Sequence, residues 1–374
     1  MKVLIVRDRE SAGGGVHHYY RVVEPHLTVE LQFSDVGKPS VYYGRQSSWI
    51  MRFRPCRLLM DWIGLAIRIL RFRPDIVHVN PSLDPSEMRS LRRDAVNLLL
   101  ARLLGRRVLV FWRGWENDWS GKLEFPGGNR SLLCWIYQQG AAHVVLAKQF
   151  KDDLRRWGFR TAIHVETTVV ADDLVNALDK QGGLATDLLF LSRIKVSKGV
   201  YEMVEAYRIL KTRNPAYTLA IVGDGPDLEA LKKKVEDLDL EDVVFPGFVH
   251  GAAKVSFYRR GGTFCFLSYT EGMPNAVLEA MAMGLPVVSS DAGGLADILT
   301  DETGVVVRPR EDAPMKEKFD PAEVAEKIDD LVRDDELHER IARHNTEYAR
   351  RRFAAPEVAR RLQSIYQSLA AGMD

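Results

Sequence analysis

Cysteine is scarce in this chain. Cys56, Cys134 and Cys265 are scattered over 374 residues, with neither the paired spacing of a metal site nor the density of a disulfide framework. An excess of one charge is also missing. With 52 basic and 51 acidic side chains the formal charge is +1, so no extended nucleic-acid surface is expected. No apolar run reaches membrane-spanning length, and the opening Met1-Lys-Val-Leu-Ile-Val6 reads as a first strand rather than a signal peptide. A cytoplasmic protein is the expectation. Gly-x-Ser-x-Gly and Walker A sequences are absent. Asp237-Leu-Asp239 has the Asp-x-Asp form of some metal-bound nucleotide sites, but it follows an amphipathic segment instead of ending a strand and reads as surface.

What the chain does have is alternation. Short Val/Ile/Leu runs alternate with amphipathic segments, the pattern of doubly wound parallel α/β sheets. Strands are expected at Val3–Val6, Val29–Phe33, Ile76–Asn80, Val108–Trp112 and His143–Ala147, with helices over Leu58–Arg71 and Pro85–Leu104. In the second half strands are expected at Leu188–Leu191, Leu219–Val222, Val243–Phe245, Thr263–Leu267, Pro286–Ser289 and Val305–Val307. Helices there fit Val200–Arg213, Pro226–Glu236, Asn275–Met283 and Pro321–Arg333, and the polar stretch 179–186 reads as a linker. Two Rossmann-like domains facing each other across a cleft are the expected architecture.

The most informative stretch is Glu271-Gly-Met-Pro-Asn-Ala-Val-Leu-Glu279, after the apolar run Thr263–Leu267. Two carboxylates flank a turn that opens a helix. Gly272 admits close backbone approach, and Pro274 suits a first helical position because no N–H is needed there. The free amides of the next turn favour an anion such as a diphosphate. Glu279, one turn on, can accept two hydrogen bonds from a vicinal diol such as a ribose.

A second element is Phe190-Leu-Ser-Arg193-Ile-Lys-Val-Ser-Lys198-Gly199. It places an Arg and a Lys in a loop at the carboxyl end of a parallel strand, where open α/β sheets bind ligands. The pair can converge on one anion. Ile221-Val-Gly-Asp-Gly-Pro226 reads as a structural turn before a helix, and Gly293-Gly294 as a tight connection close to the site.

These elements resemble the GT-B retaining glycosyltransferases of glycosyltransferase family 4 (glycosyl transferases group 1), whose motif is a Glu, seven residues, and a second Glu. The resemblance is strong over residues 187–310 and weaker in the N-terminal half. It implies an acceptor-side domain at 1–177, a donor domain at 185–355, and a C-terminal helix, 356–374, packing back on the first. It implies a hexosyl unit moving from a nucleotide-diphosphate sugar to a glycan or lipid-linked acceptor with retention, in surface polysaccharide or glycolipid biosynthesis, without an obligatory metal or other cofactor. Glu271, Arg193, Lys198 and Arg113 take the catalytic places. Gly14, Gly15, Phe248, Gly272, Met273, Pro274, Asn275 and Glu279 take the donor-binding ones. A nucleotide-sugar epimerase or hydrolase, or a non-catalytic nucleotide-sugar or glycan-binding protein, remains the alternative.

The N-terminal half departs from the family in informative ways. The turn Ser11–His18 has Gly14 and Gly15 but His18 in the last glycine place of a nicotinamide fingerprint, which therefore fails. Either these glycines shape the acceptor side or they form a ligand-free turn. Arg113-Gly114 stands where the family usually has His-Gly. Arginine is no general base at ordinary pH. It either reads an anionic group on the donor or pins its loop through Glu116. Finally, Arg52, Arg54 and Arg57, continuing to Arg68, Arg71 and Arg73, interleave with apolar and aromatic residues, and Asp61 is the only acid between Trp49 and Arg73. This is either a face for anionic lipid headgroups, on the inner leaflet of the membrane, or a core-packing helix whose arginines reach into water.

Overall fold

Runs of Val, Ile and Leu without polar alternation suit strands covered on both faces, and the chain uses them in that way. The computed structural model describes residues 1–9, 15–37, 54–84, 88–115, 125, 127–175 and 183–372. The chain divides into two units, residues 1–168 with 355–374, and residues 169–354.

The first unit is built on a parallel sheet in the order β2-β1-β3-β5-β7-β8. Its strands are β1 (Lys2–Asp8), β2 (Glu30–Val36), β3 (Ile76–Val79), β5 (Arg107–Phe111), β7 (Ala142–Val145) and β8 (Ala162–Val165). Val3 pairs with both Leu31 and Ile76, which puts β1 inside the sheet. Two short strands, β4 (Ser82–Leu83) and β6 (Gly114–Trp115), tie together the loops that follow β3 and β5. Helices of this unit are α1 (Gly15–Val23), α2 (Arg54–Phe72), α3 (Met88–Leu103), α4 (Leu132–Gln138), α5 (Lys148–Arg156) and α13 (Ala355–Ala371). α13 joins α1 and β3, and its Tyr366 hydroxyl lies 2.7 Å from Nδ1 of the buried His78.

The second unit repeats the plan with the order β11-β10-β9-β12-β13-β14, again all parallel. The strands are β9 (Asp187–Leu191), β10 (Thr218–Val222), β11 (Val243–Gly247), β12 (Thr263–Phe266), β13 (Val287–Ser289) and β14 (Gly304–Val306). Every residue of β12 is buried, whereas the edge strand β11 is half exposed. Its helices are α6 (Asp172–Val175), α7 (Val200–Arg213), α8 (Leu228–Asp237), α9 (Gly251–Arg260), α10 (Asn275–Ala282), α11 (Pro321–Arg333) and α12 (Asp335–Arg352). α7 packs on α11 and α10 on α12.

Both sheets have a switch point, a pair of neighbouring strands from which the connections run in opposite directions. It lies between β1 and β3 in the first unit and between β9 and β12 in the second. Loops beyond the carboxyl ends of such strands are where ligands bind in open α/β sheets.

Candidate functional site

In the second unit the two loops at the switch point are laced together. Tyr269 N donates to Ser197 O at 2.9 Å and Ser268 Oγ to the same carbonyl at 3.3 Å, while Ser290 Oγ donates to Ser268 O at 2.6 Å. Gly199 closes the β9 loop at φ +67°. A Cβ there would stand 2.1 Å from Leu267 O, so both the backbone angle and the approach of the two loops require glycine. Gly293 does the same from the other side, at φ +56°, with a methyl position 1.8 Å from Glu271 O.

This lacing brings Lys198 and Glu271 together as an ion pair between the Lys Nζ and Oε1, largely shielded from water. Nζ also lies 5.8 Å from the centre of the Phe266 ring. Arg193, on the same β9 loop, is exposed and makes no ion pair among the described residues. The loop is held from below by the Gly223–Asp227 turn. Ile194 N donates to Asp224 O, and Val196 N to the Asp227 carboxylate at 2.9 Å. The Gly-Asp-Gly-Pro turn therefore serves as a prop for the basic loop.

Downstream of Glu271, Gly272 O accepts from Gly294 N at 2.8 Å and Met273 is buried. Pro274 corrects one expectation. With ψ of 117° it is extended and caps α10 from outside instead of occupying its first turn. Its carbonyl accepts from Val277 N at 3.2 Å and Leu278 N at 3.4 Å, the first bonds of the helix, as the carbonyl of a capping residue does. Asn275 is then the first helical residue. Its amide and that of Ala276 find no acceptor among the described residues, and its Oδ1 is buried without a partner there. A helix start with two unused donors favours an anion.

Glu279 sits one turn into α10 and is 2% exposed. Both of its oxygens are occupied: Lys254 Nζ donates to Oε1 at 2.7 Å and Tyr258 OH to Oε2 at 2.8 Å. Burial first, and then the Glu279 charge, hold the Tyr258 phenol well above its ordinary range, so it stays a donor. The motif did not disclose these partners. They come from α9, a helix in which Tyr258 is the one buried residue. A second pair follows no motif in the sequence: Tyr269 OH donates to the buried Glu202, whose carboxyl is raised, mainly by burial. Phe248, beyond the end of β11, is 72% exposed and, among the described residues, stacks only on His250.

The first unit carries the remaining candidates. Gly15 begins α1, and a Cβ there would meet nothing within 4 Å, while Gly14 lies outside the described residues. Arg113 stands at the carboxyl end of β5. Its guanidinium is sandwiched between the rings of Tyr19, at 3.8 Å, and Phe111, at 3.7 Å. Nε donates to Asn80 Oδ1 at 3.2 Å, and Nη2 is buried with no hydrogen-bond partner among the described residues. Asn80 also accepts from Tyr20 OH at 2.8 Å, which lies 3.2 Å from His78 Nε2. His78 is fully buried, and burial pushes its imidazole well below the ordinary range, so it is a neutral core histidine between two tyrosines. Glu116 lies outside the described residues, as do Arg52 and the Arg54 side chain. Arg57 is buried, which removes it from any headgroup surface because α2 turns that side toward Asp61 and the core.

Known proteins place this geometry in context. A family model described as glycosyl transferases group 1 matches residues 182–348. A capsular polysaccharide biosynthesis glycosyltransferase, CapM, of Staphylococcus aureus is 27% identical over 48% of this chain and 45% of its own length. An alpha-D-kanosaminyltransferase of Streptomyces kanamyceticus is 27% identical over 62% of this chain and 61% of its own. The chain thus spans less than two thirds of the length of these relatives. Among solved structures, HepE from Anabaena in complex with UDP and glucose superposes over 98% of this chain and 100% of its own, with a TM-score of 0.70 at 17% identity. Residues 182–348 are a domain of the glycosyl transferases group 1 family, and the chain that carries them has the GT-B fold.

Proposed function

We propose that the chain is a retaining hexosyltransferase, moving a sugar from a nucleotide diphosphate to a glycan or lipid-linked acceptor. The observation that carries this reading is the meeting of Lys198 and Glu271 beside the unused amides of α10, at the switch point of the second sheet. A bound diphosphate supplies the negative charge that Lys198 now finds in Glu271, and Arg193 adds a planar fork of donors from the same loop. Freed from Lys198, the Glu271 carboxylate accepts from hydroxyls of the transferred sugar. The ribose diol is assigned to Glu279, where it competes with Lys254 for Oε1, and the exposed Phe248 ring to the base. Polysaccharide-building relatives and a neighbour solved with UDP and glucose support a nucleotide-sugar donor.

In the step itself, the bond from the anomeric carbon to the leaving phosphate oxygen breaks. The bond to the acceptor oxygen forms on the same face, and the acceptor proton passes to that phosphate oxygen. No side-chain base is needed, and the residues contribute charge stabilisation and position. No obligatory metal is included in this scheme.

The test begins with thermal shift on a panel of nucleotide sugars, since a ligand raises apparent stability according to its affinity. The donor so found is then used in transfer assays in which the anomer of the product is read by NMR. A product of inverted configuration sinks the front-face step. Release of free or epimerised sugar with every acceptor sinks transfer altogether.

A further inference from the structure

Helices α2, α3 and α4 stand side by side on the first unit, α2 against α3 and α3 against α4. Their outward faces are unusual in two ways. Nine of the fourteen large apolar residues exposed among the described residues are on these three helices. On α2 they are Leu59, Met60, Ile63, Ile67 and Leu70, between 43 and 58% exposed. At about 100° per residue these positions fall within an arc of roughly 100°, a stripe facing away from the core. Leu103 on α3, and Leu132 and Trp135 on α4, extend it, at 84, 71 and 52% exposure.

The second feature is charge. The three helices contain two acids, and neither is available at the surface. Asp61 is buried against Arg9 and the amide of Gly37, and Asp94 is buried against Arg93 at 2.9 Å. Arg68, Arg71, Arg89, Arg92 and Arg102 are all exposed. A chain with balanced charge overall thus presents an apolar stripe on three helices whose exposed charged side chains, among the described residues, are all arginines. A second copy of the same face would bring arginines against arginines with no acid to receive them. An anionic bilayer surface supplies both what the stripe needs and what the arginines need.

We infer that the outward face of α2–α4 is an interfacial docking surface for an anionic lipid bilayer, with the α2 stripe and Trp135 entering the headgroup boundary. No helix among the described residues is long and apolar enough to span. The surface lies on the bilayer and does not cross it. This inference stands on the surface alone and is independent of the chemistry assigned to the second unit.

The intact protein is tested by co-sedimentation with phosphatidylcholine vesicles, with and without phosphatidylglycerol. Wild type is expected to bind the anionic vesicles and to bind less as salt rises. The double variant Ile63→Asp, Leu70→Asp changes exposed positions, so its melting temperature should hold while partitioning falls at least tenfold. Replacing Arg68, Arg71, Arg89 and Arg92 by Gln should lower anionic binding by about fivefold per residue, the equivalent of about 1 kcal/mol each, and flatten the salt dependence. As a check that needs no folded double variant, brominated lipid should quench part of the wild-type tryptophan fluorescence, and Trp135→Phe should remove that part. Vesicle binding that is absent, or equal in the aspartate variant, overturns the inference. So does light scattering that shows a wild-type dimer split by those aspartates in a protein that ignores vesicles.

Discussion

Glu279 shows how a site residue is held before its ligand arrives. A carboxylate 2% exposed is costly unless paired, and Lys254 with Tyr258 provides the pairing. Glu279→Gln should raise donor KM about tenfold, because a charge-assisted hydrogen bond is worth roughly 1.5–3 kcal/mol, and should also lower the melting temperature. Lys254→Met separates the two roles: it should lower stability but leave donor KM unchanged or improved, since the competitor for Oε1 is gone. If both variants raise KM equally, Glu279 does not hold the ribose. Arg113 is the other residue with a divided role. Its stacking between Tyr19 and Phe111 is structural, while its Nη2, without a partner among the described residues, is a donor in reserve. Arg113→Lys keeps the charge and loses both the planar stack and the fork. We expect a drop of a few degrees in melting temperature and, for a donor carrying a sugar carboxylate, a larger fall in kcat/KM than for a neutral one. Equal falls on the two donor classes would leave only the stacking role.

At the scale of elements, the two glycine contacts are the most exposed to substitution. Gly199→Ala and Gly293→Ala should each destabilise by about 2 kcal/mol or more and weaken donor binding, read together by melting temperature with and without donor. The strand β7 carries a pH dependence. His143 is fully buried, and burial first, with Arg155 adding, pushes its imidazole down to about 3. The unfolded chain protonates this group near 6.5 and the folded one does not, so stability is full above about 6.5 and is lost as pH falls from there toward 3. Asp94, raised to about 6 by burial, works the other way over part of that range. His143→Asn keeps an acceptor for Trp112 Nε1 and should flatten the fall of melting temperature between pH 7 and 4. An unchanged slope would assign that fall to other groups. These elements also show what the sequence can display. β1, β3, β5, β7, β9, β10 and β12 announce themselves because parallel strands covered on both faces are near-continuous apolar runs, interrupted by His78 in β3 and His143 in β7. β8 does not, since in Ala162–Val165 only Ile163 is buried. α12 hides for the opposite reason: His338 and Asn345 lie on its buried face, where Asn345 Nδ2 donates to Leu285 O and Thr303 O, so polar residues occupy the helical repeat. In the site, the two glutamates and the Arg–Lys loop were legible as a motif. Their partners were not, because Lys254 and Tyr258 reach Glu279 only through the packing of α9.

On the scale of the molecule, the first unit is made from two stretches of chain, 1–168 and 355–374, with the whole second unit between them. α13 belongs to the core of the first unit. Tyr366 meets His78, Gln363 accepts from Thr28 at 2.9 Å, and Arg361 pairs with Glu166 at 2.9 Å. A chain stopped before Ala355 should therefore melt the first unit at lower temperature, followed by near-ultraviolet circular dichroism, while donor still shifts the melting of the second. If the first unit melts unchanged, α13 is dispensable to it. The same feature governs the order of events on the ribosome. Domains usually fold in the order they are made, at about 5–20 residues per second. Here the 186 residues from 169 to 354 are synthesised before the first unit has its last helix, a delay of about 10 to 40 s at that pace. The unit that begins first is thus completed last, and a nascent chain carries a finished second unit behind an open first one. Until then the faces of α1 and β3 that α13 covers in the finished unit stay open to solvent.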